Sequence, residues 1–143
     1  IDPVAAACAA LNLPRSAPTY CGDLFEPLPE RFTGRIDVLV ANAPYVPSDA
    51  LDLMPREARL YEPVEALDGG ADGLDVHRRL LAGAGDWQPA AGHLLVEVAE
   101  EQVPTAVALF QAHGYRPAVV RDPEIGGTVI VGRRTVEPGV SVR

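Results

Sequence analysis

Two hydrophobic periods take turns along the chain, and they predict strands and helices in alternation. Ile36-Asp37-Val38-Leu39-Val40-Ala41 is a nearly continuous aliphatic run of strand length, the pattern of a strand buried on both faces of a parallel sheet. His93-Leu94-Leu95-Val96-Glu97-Val98 repeats that pattern after the turn Pro89-Ala90-Ala91-Gly92. Between the two, Leu74 to Ala82 has helical spacing, with apolar residues at 74, 76, 80 and 81 and Arg78-Arg79 on the solvated face. A further helix runs from Glu100 to His113, acidic in its first turn and stopped by Gly114. Tyr115 to Arg121 and Thr128 to Arg133 are strands with the turn signal Gly126-Gly127 between them. At the start, Asp2 is placed to cap a short Ala-rich helix that begins at Pro3 and ends at Asn12, before Pro14. Ala17 to Asp23 reads as a brief strand closing on Gly22-Asp23, and Pro27 and Pro29 mark a loop. From Asn42 to about Gly73 neither period persists, and a loop that long inside a compact domain is usually functional.

Strands alternating with helices predict an α/β layered, mostly parallel sheet, with the last two strands as an antiparallel pair at one edge. Ligands bind beyond the carboxyl ends of strands in such sheets, which singles out Asp23, Asn42 to Tyr45, and Glu97. The length of 143 residues and a hydrophobic content of 48% fit one domain with a real core. A net charge of −8, with every basic residue an Arg, argues against a nucleic acid held on a broad basic surface. No apolar run approaches the ~20 residues of a membrane span and no leader pattern is visible, so a cytoplasmic protein without a membrane partner is expected. Cys8 and Cys21 lack metal-ligand spacing and are expected as small buried hydrophobes. His77, His93 and His113 share no ligand-like spacing and are expected to be solvated or half-buried, with no metal site.

Asn42-Ala43-Pro44-Tyr45, directly after a strand, is the strongest candidate for chemistry. The Asn carboxamide oxygen and the Ala43 carbonyl are two acceptors able to converge on a planar NH2 group, and Pro44 fixes the chain so that Tyr45 walls a slot. Holding both hydrogens leaves the nitrogen lone pair aimed outward at an electrophile. The same residues would also serve as a plain strand-to-loop turn in which Tyr45 covers the core.

The segment resembles the NPPY motif of amino-group methyltransferases, with Ala43 in place of the first Pro. Glu62-Pro63-Val64-Glu65-Ala66-Leu67-Asp68-Gly69-Gly70-Ala71-Asp72-Gly73-Leu74-Asp75 is similar to the E-P-x-x-A-L-x-G-G-x-D-G-L signature of the HemK family, protein-glutamine methyltransferases that modify the GGQ loop of peptide-chain release factors. Gly22-Asp23-Leu24-Phe25-Glu26-Pro27-Leu28 resembles the family segment near the adenine of S-adenosylmethionine, and Leu94-Leu95-Val96-Glu97 its next strand. The resemblance covers nearly the whole chain up to Arg134, with 135–143 an irregular tail.

The resemblance implies a partial Rossmann-like S-adenosylmethionine-dependent methyltransferase fold, the carboxyl-terminal portion of a catalytic domain, with the first strands missing. It implies methyl transfer to the side-chain amide nitrogen of a protein glutamine, on an acceptor such as a release factor. Asn42 and Ala43 would orient the amide, Pro44 and Tyr45 would wall the slot, and Asp23, Leu24 and Asn42 would border the cofactor. Two departures matter. Ala43 keeps the carbonyl but loses the rigidity of Pro, and the family's Gly-rich cofactor loop and ribose-binding acid have no counterpart. Without the strands that carry them, the Tyr20 and Val38 strands would leave open edges, so self-association through those edges is expected. Two other functions stay in view: a catalytically incomplete chain acting only by binding, and methylation of a nucleic-acid amine, against which the charge and the signature both speak.

Overall fold

In this computed structural model residues 1–135 are described, and they fall into two compact units, Ile1–Thr33 and a second from Gly34 onward. In the first unit, Asp2 caps the helix as expected. Its carboxylate accepts from the Val4 N–H at 2.8 Å, and α1 runs Pro3–Asn12. α1 buries none of its residues, because a helix of alanines brings little bulk to a core. The strand expected around Tyr20 does not form: 17–23 is irregular, since Pro18 removes a ladder donor and Gly22 weakens the run. Tyr20 instead packs edge-on against Phe32 at 6.3 Å and accepts a 2.8 Å hydrogen bond from Arg31. Cys8 and Cys21 are exposed rather than buried, in keeping with a unit too small to enclose them.

The second unit is built where the aliphatic runs predicted it. Its elements are β1 (Val38–Ala41), α2 (Arg56–Tyr61), α3 (Asp75–Trp87), β2 (His93–Glu97), α4 (Val103–Ala112), β3 (Tyr115–Asp122) and β4 (Gly127–Arg134). Short 3-10 turns occupy Ser48–Leu53, Val64–Ala66 and Glu100–Gln102. The sheet order is β1-β2-β4-β3. β1 and β2 are parallel, in the register Val38↔His93 to Ala41↔Val96, and α3 lies in the crossover between them.

β4 lies antiparallel to both neighbours, Leu95↔Val131 on one side and Val119↔Ile130 on the other. The sheet is therefore mixed and not mostly parallel. The turn at Gly126, whose φ is +69°, folds β4 back between β2 and β3, so the expected antiparallel pair also supplies β2 with an antiparallel neighbour. No helix among the described residues is long and apolar enough to cross a membrane. The expected irregular tail lies outside the described residues except for Thr135.

The core lies between the sheet and the helices α3 and α4. Leu94 and Val96 from β2, Ile130 from β4, Leu80, Leu81 and Ala84 from α3, and Phe110 from α4 are all buried. Phe110 meets Tyr115 edge-on at 5.7 Å, and its ring fills the space where a Cβ on Gly132 would stand. Tyr115 donates to Gln88 Oε1 at 2.6 Å and Gln88 donates to the His93 carbonyl at 2.7 Å, which pairs both ends of the buried Gln88 amide under the sheet.

β1 departs from its expected burial on both faces. Val38 is 57% and Val40 71% exposed. Among the described residues β1 pairs only with β2, and one face of this edge strand is uncovered. His77 also departs, being fully buried on α3 with Nε2 3.0 Å from the Glu97 carbonyl.

Candidate functional site

β1 ends at Ala41, and Asn42–Tyr45 leave the sheet at its carboxyl end. Ala43 is buried, Pro44 and Tyr45 are half-buried, and Asn42 is exposed. No hydrogen bond holds the Asn42 carboxamide among the described residues. A single parallel bridge, Val46 to Asp68, then joins this segment to the glycine-containing loop. The Val46 N–H donates to the Leu67 carbonyl at 3.0 Å, and the Val46 carbonyl accepts from Gly69 at 2.8 Å. Ser48 extends the pairing. Its N–H donates to the Gly70 carbonyl at 3.0 Å and its Oγ to Asp68 at 2.7 Å. The Ser48 hydroxyl and the Gly70 N–H hold the Asp68 carboxyl below its usual value.

A cleft of about 350 Å³ opens between Asn42–Val46 on one side and Met54, Glu62, Ala66 and Leu67 on the other. The two sequence motifs therefore face each other across one cavity. Glu97, at the carboxyl end of β2, comes to Tyr45. Burial first, then the charge and hydrogen bond of Glu97, push the Tyr45 hydroxyl above its ordinary value of 10.0. Tyr45 stands as a neutral donor to a carboxylate, a fixed wall rather than a titrating group.

The glycines of the signature serve close packing. Gly70 and Gly73 have φ of +89° and +76°, and a Cβ on Gly69 would strike the Gly73 backbone, one on Gly70 the Asp75 carboxylate, and one on Gly73 both the Tyr45 carbonyl and the Gln102 amide. The loop is thus filled by the protein's own atoms and does not form a cradle for a nucleotide-bearing cofactor. Asp72 closes it. The Arg78 guanidinium, 2.6 Å away, holds the Asp72 carboxyl at about 2, and the same carboxylate accepts from the Leu74 N–H at 3.1 Å. Arg78 lies on a solvated face as expected, and from there it clamps the loop through Asp72 and Asp75.

Asp23 and Leu24 belong to the first unit, in a turn where the Glu26 N–H donates to the Asp23 carbonyl at 3.0 Å. Leu24 has φ of +46°, which non-glycine residues adopt sparingly. No group of His, Cys, Asp and Glu able to hold a metal occurs among the described residues. Gln102, singled out by no motif, proves central. It is buried just ahead of α4, donates to the Tyr45 carbonyl at 2.8 Å and the Asp72 carbonyl at 2.9 Å, and accepts from the Ala99 N–H at 2.9 Å.

No family model matches the chain. Curated proteins do. A release factor glutamine methyltransferase of Geobacter sulfurreducens is 37% identical over 113 residues, 79% of this chain and 39% of that protein. The chain belongs to the HemK family. A second protein of the same name, from Gloeobacter violaceus, is 43% identical over 62% of the chain and 30% of its own length. A ribosomal protein uL3 glutamine methyltransferase of Burkholderia pseudomallei is 42% identical over 58% of the chain and 28% of its own length. The HemK resemblance thus spans well under half the length of each of these relatives. In this HemK chain the structure supplies a physical reason for the Gly-rich signature: it closes against the Asn42–Tyr45 segment.

Proposed function

We propose that residues 42–75 form the acceptor site of a methyltransferase acting on the side-chain amide nitrogen of a protein glutamine, with a release factor as the class of acceptor. One observation carries this reading: Asn42 presents a carboxamide free of described partners at a cleft whose other wall includes Glu62, Ala66 and Leu67 of the signature. Asn42 Oδ1 and the Ala43 carbonyl accept the two hydrogens of the substrate amide, while Pro44 and Tyr45 limit its rotation. An amide nitrogen loses most of its nucleophilicity to resonance with its carbonyl, so holding both hydrogens and aiming the lone pair is the principal help these residues give. No general base is required before attack. The relatives' names support glutamine as the acceptor.

The proposed methyl donor is S-adenosylmethionine, whose sulfonium makes its methyl carbon electrophilic. The glycines here make no cradle for it; Asp23 and Leu24 are proposed to border its adenine, and the left-handed backbone of Leu24 supports a held conformation there. Asn42 is proposed to stand where donor and acceptor meet.

The acceptor reading is tested by titrating the chain with acetyl-Gly-Gly-Gln-amide and following backbone resonances. Shifts centred on Asn42–Tyr45 that vanish with Asn42→Ala are expected. Equal shifts with the Gly-Gly-Glu peptide would overturn the reading. A second reading, in which this chain binds without turnover, is favoured by the filled glycine loop. Formation of S-adenosylhomocysteine on mixing the chain, S-adenosylmethionine and a release factor would overturn that one.

A further inference from the structure

Three segments distant in sequence meet at one side chain. The Gln102 amide has two N–H donors and one oxygen, and all are engaged: the donors by the carbonyls of Tyr45 and Asp72, the oxygen by the Ala99 N–H. Two carbonyls facing one end and an N–H facing the other leave a single orientation of the amide that satisfies every partner. Gly73 stands at the same point, with no room for a Cβ between the Gln102 nitrogen and the Tyr45 carbonyl.

We propose that Gln102 is a positioning residue for the acceptor slot, which its amide holds to geometry by tying the Asn42–Tyr45 segment and the glycine loop to the start of α4. The proposal rests on the acceptor reading given above. The slot segment is clamped at its near end by the ladder pair Ala41↔Val96. At its far end the Tyr45 carbonyl is held by Gln102 and the Val46 N–H by the Leu67 carbonyl. Ala43 carries no ring to restrict its φ, so the segment depends on these end clamps more than a proline at that position would require. Releasing Tyr45 frees the peptide groups that aim the Ala43 carbonyl and the ring of Tyr45. An acceptor pair that must meet two hydrogens at once is sensitive to displacements well below 1 Å.

Gln102→Met keeps length and bulk and removes both donors; Gln102→Glu keeps the bond to Ala99 and turns an oxygen toward the two carbonyls. The full chain and both variants are titrated with acetyl-Gly-Gly-Gln-amide and its Gly-Gly-Glu counterpart, with thermal midpoints and amide hydrogen exchange recorded alongside. The expected result in each variant that folds is a loss of about tenfold in affinity for the glutamine peptide, with faster exchange at the Ser48 and Gly69 amides. Gln102→Asn, too short to reach both carbonyls, should restore neither. A purely structural role would lower the thermal midpoint and leave glutamine affinity unchanged in the folded fraction, and that outcome overturns the proposal. If the wild-type chain binds neither peptide, the acceptor reading falls, and exchange decides by itself: unchanged rates at Ser48 and Gly69 overturn the tie, faster rates uphold it. Failure of both variants to fold also overturns the proposal, because Gln102 would then serve the fold at large.

Discussion

α1 and α4 are helices of ten residues, each with a proline in its first turn and an apolar majority, yet they behave differently. α4 buries Val103, Ala106 and Phe110, while α1 buries nothing and leaves Val4 71% and Leu11 86% exposed. Capping and alanine content suffice to make a helix. Joining a core takes branched and aromatic bulk at the right spacing, which α4 has in Val103, Val107 and Phe110. Because α4 is fixed by that burial, the residue just before it, Gln102, can serve as an anchor for the cleft.

The largest expected effect tests the buried helix. Phe110→Ala should destabilise the second unit by about 3–5 kcal/mol in urea denaturation, whereas Leu11→Ala in α1 should stay within about 0.5 kcal/mol. Equal losses would mean that the exposed helix contributes as much to stability as the buried one. Gly73→Ala comes next: a left-handed φ of +76° and the crowding by Gln102 and Tyr45 should cost about 2 kcal/mol or more, with slot resonances broadened. Tyr115→Phe should follow at about 1–2 kcal/mol, since it strands the buried Gln88 Oε1.

A pH dependence follows from His77. Burial, aided by the Arg78 charge and opposed by the bond to the Glu97 carbonyl, lowers its pKa from the ordinary 6.5. The unfolded chain therefore binds the proton more readily. The stability this site contributes is fully present above about 6.5 and is lost as pH falls through the lower folded value. Urea midpoints at pH 8 and pH 5.5 should differ less in His77→Leu than in wild type. The smallest effect belongs to α1: Asp2→Ala removes the cap on the Val4 N–H and should lower helicity by far-ultraviolet circular dichroism at a cost of about 0.5–1 kcal/mol, with the urea transition of the second unit unmoved.

Much of the fold was legible because it follows local periodicity. The segments around Leu39, Leu95, Val119 and Val131 are strands, and those around Leu80 and Val107 are helices, as their patterns predict. Strand direction was less legible, since an aliphatic run such as 36–41 reads alike at a sheet centre and at an edge with one face bare. α2 has no sequence signature because Arg56–Tyr61 is too short to show a period. In the site, the motifs located both walls of the cleft, but nothing local marked Gln102: its partners lie 57 and 30 residues away. The burial of His77 has no local signal either: its Nε2 meets a carbonyl 20 residues on.

The bridge from Val46 to Asp68 has a consequence for engineering. It joins the Asn42–Tyr45 segment to the glycine loop, so under the proposed acceptor reading the stretch 42–75 is a cassette to transplant between relatives. The graft would carry its own glycines and the Asp72 half of the clamp, to be met by an arginine at position 78. It would still need a glutamine waiting in the recipient, at the position of residue 102, to receive it.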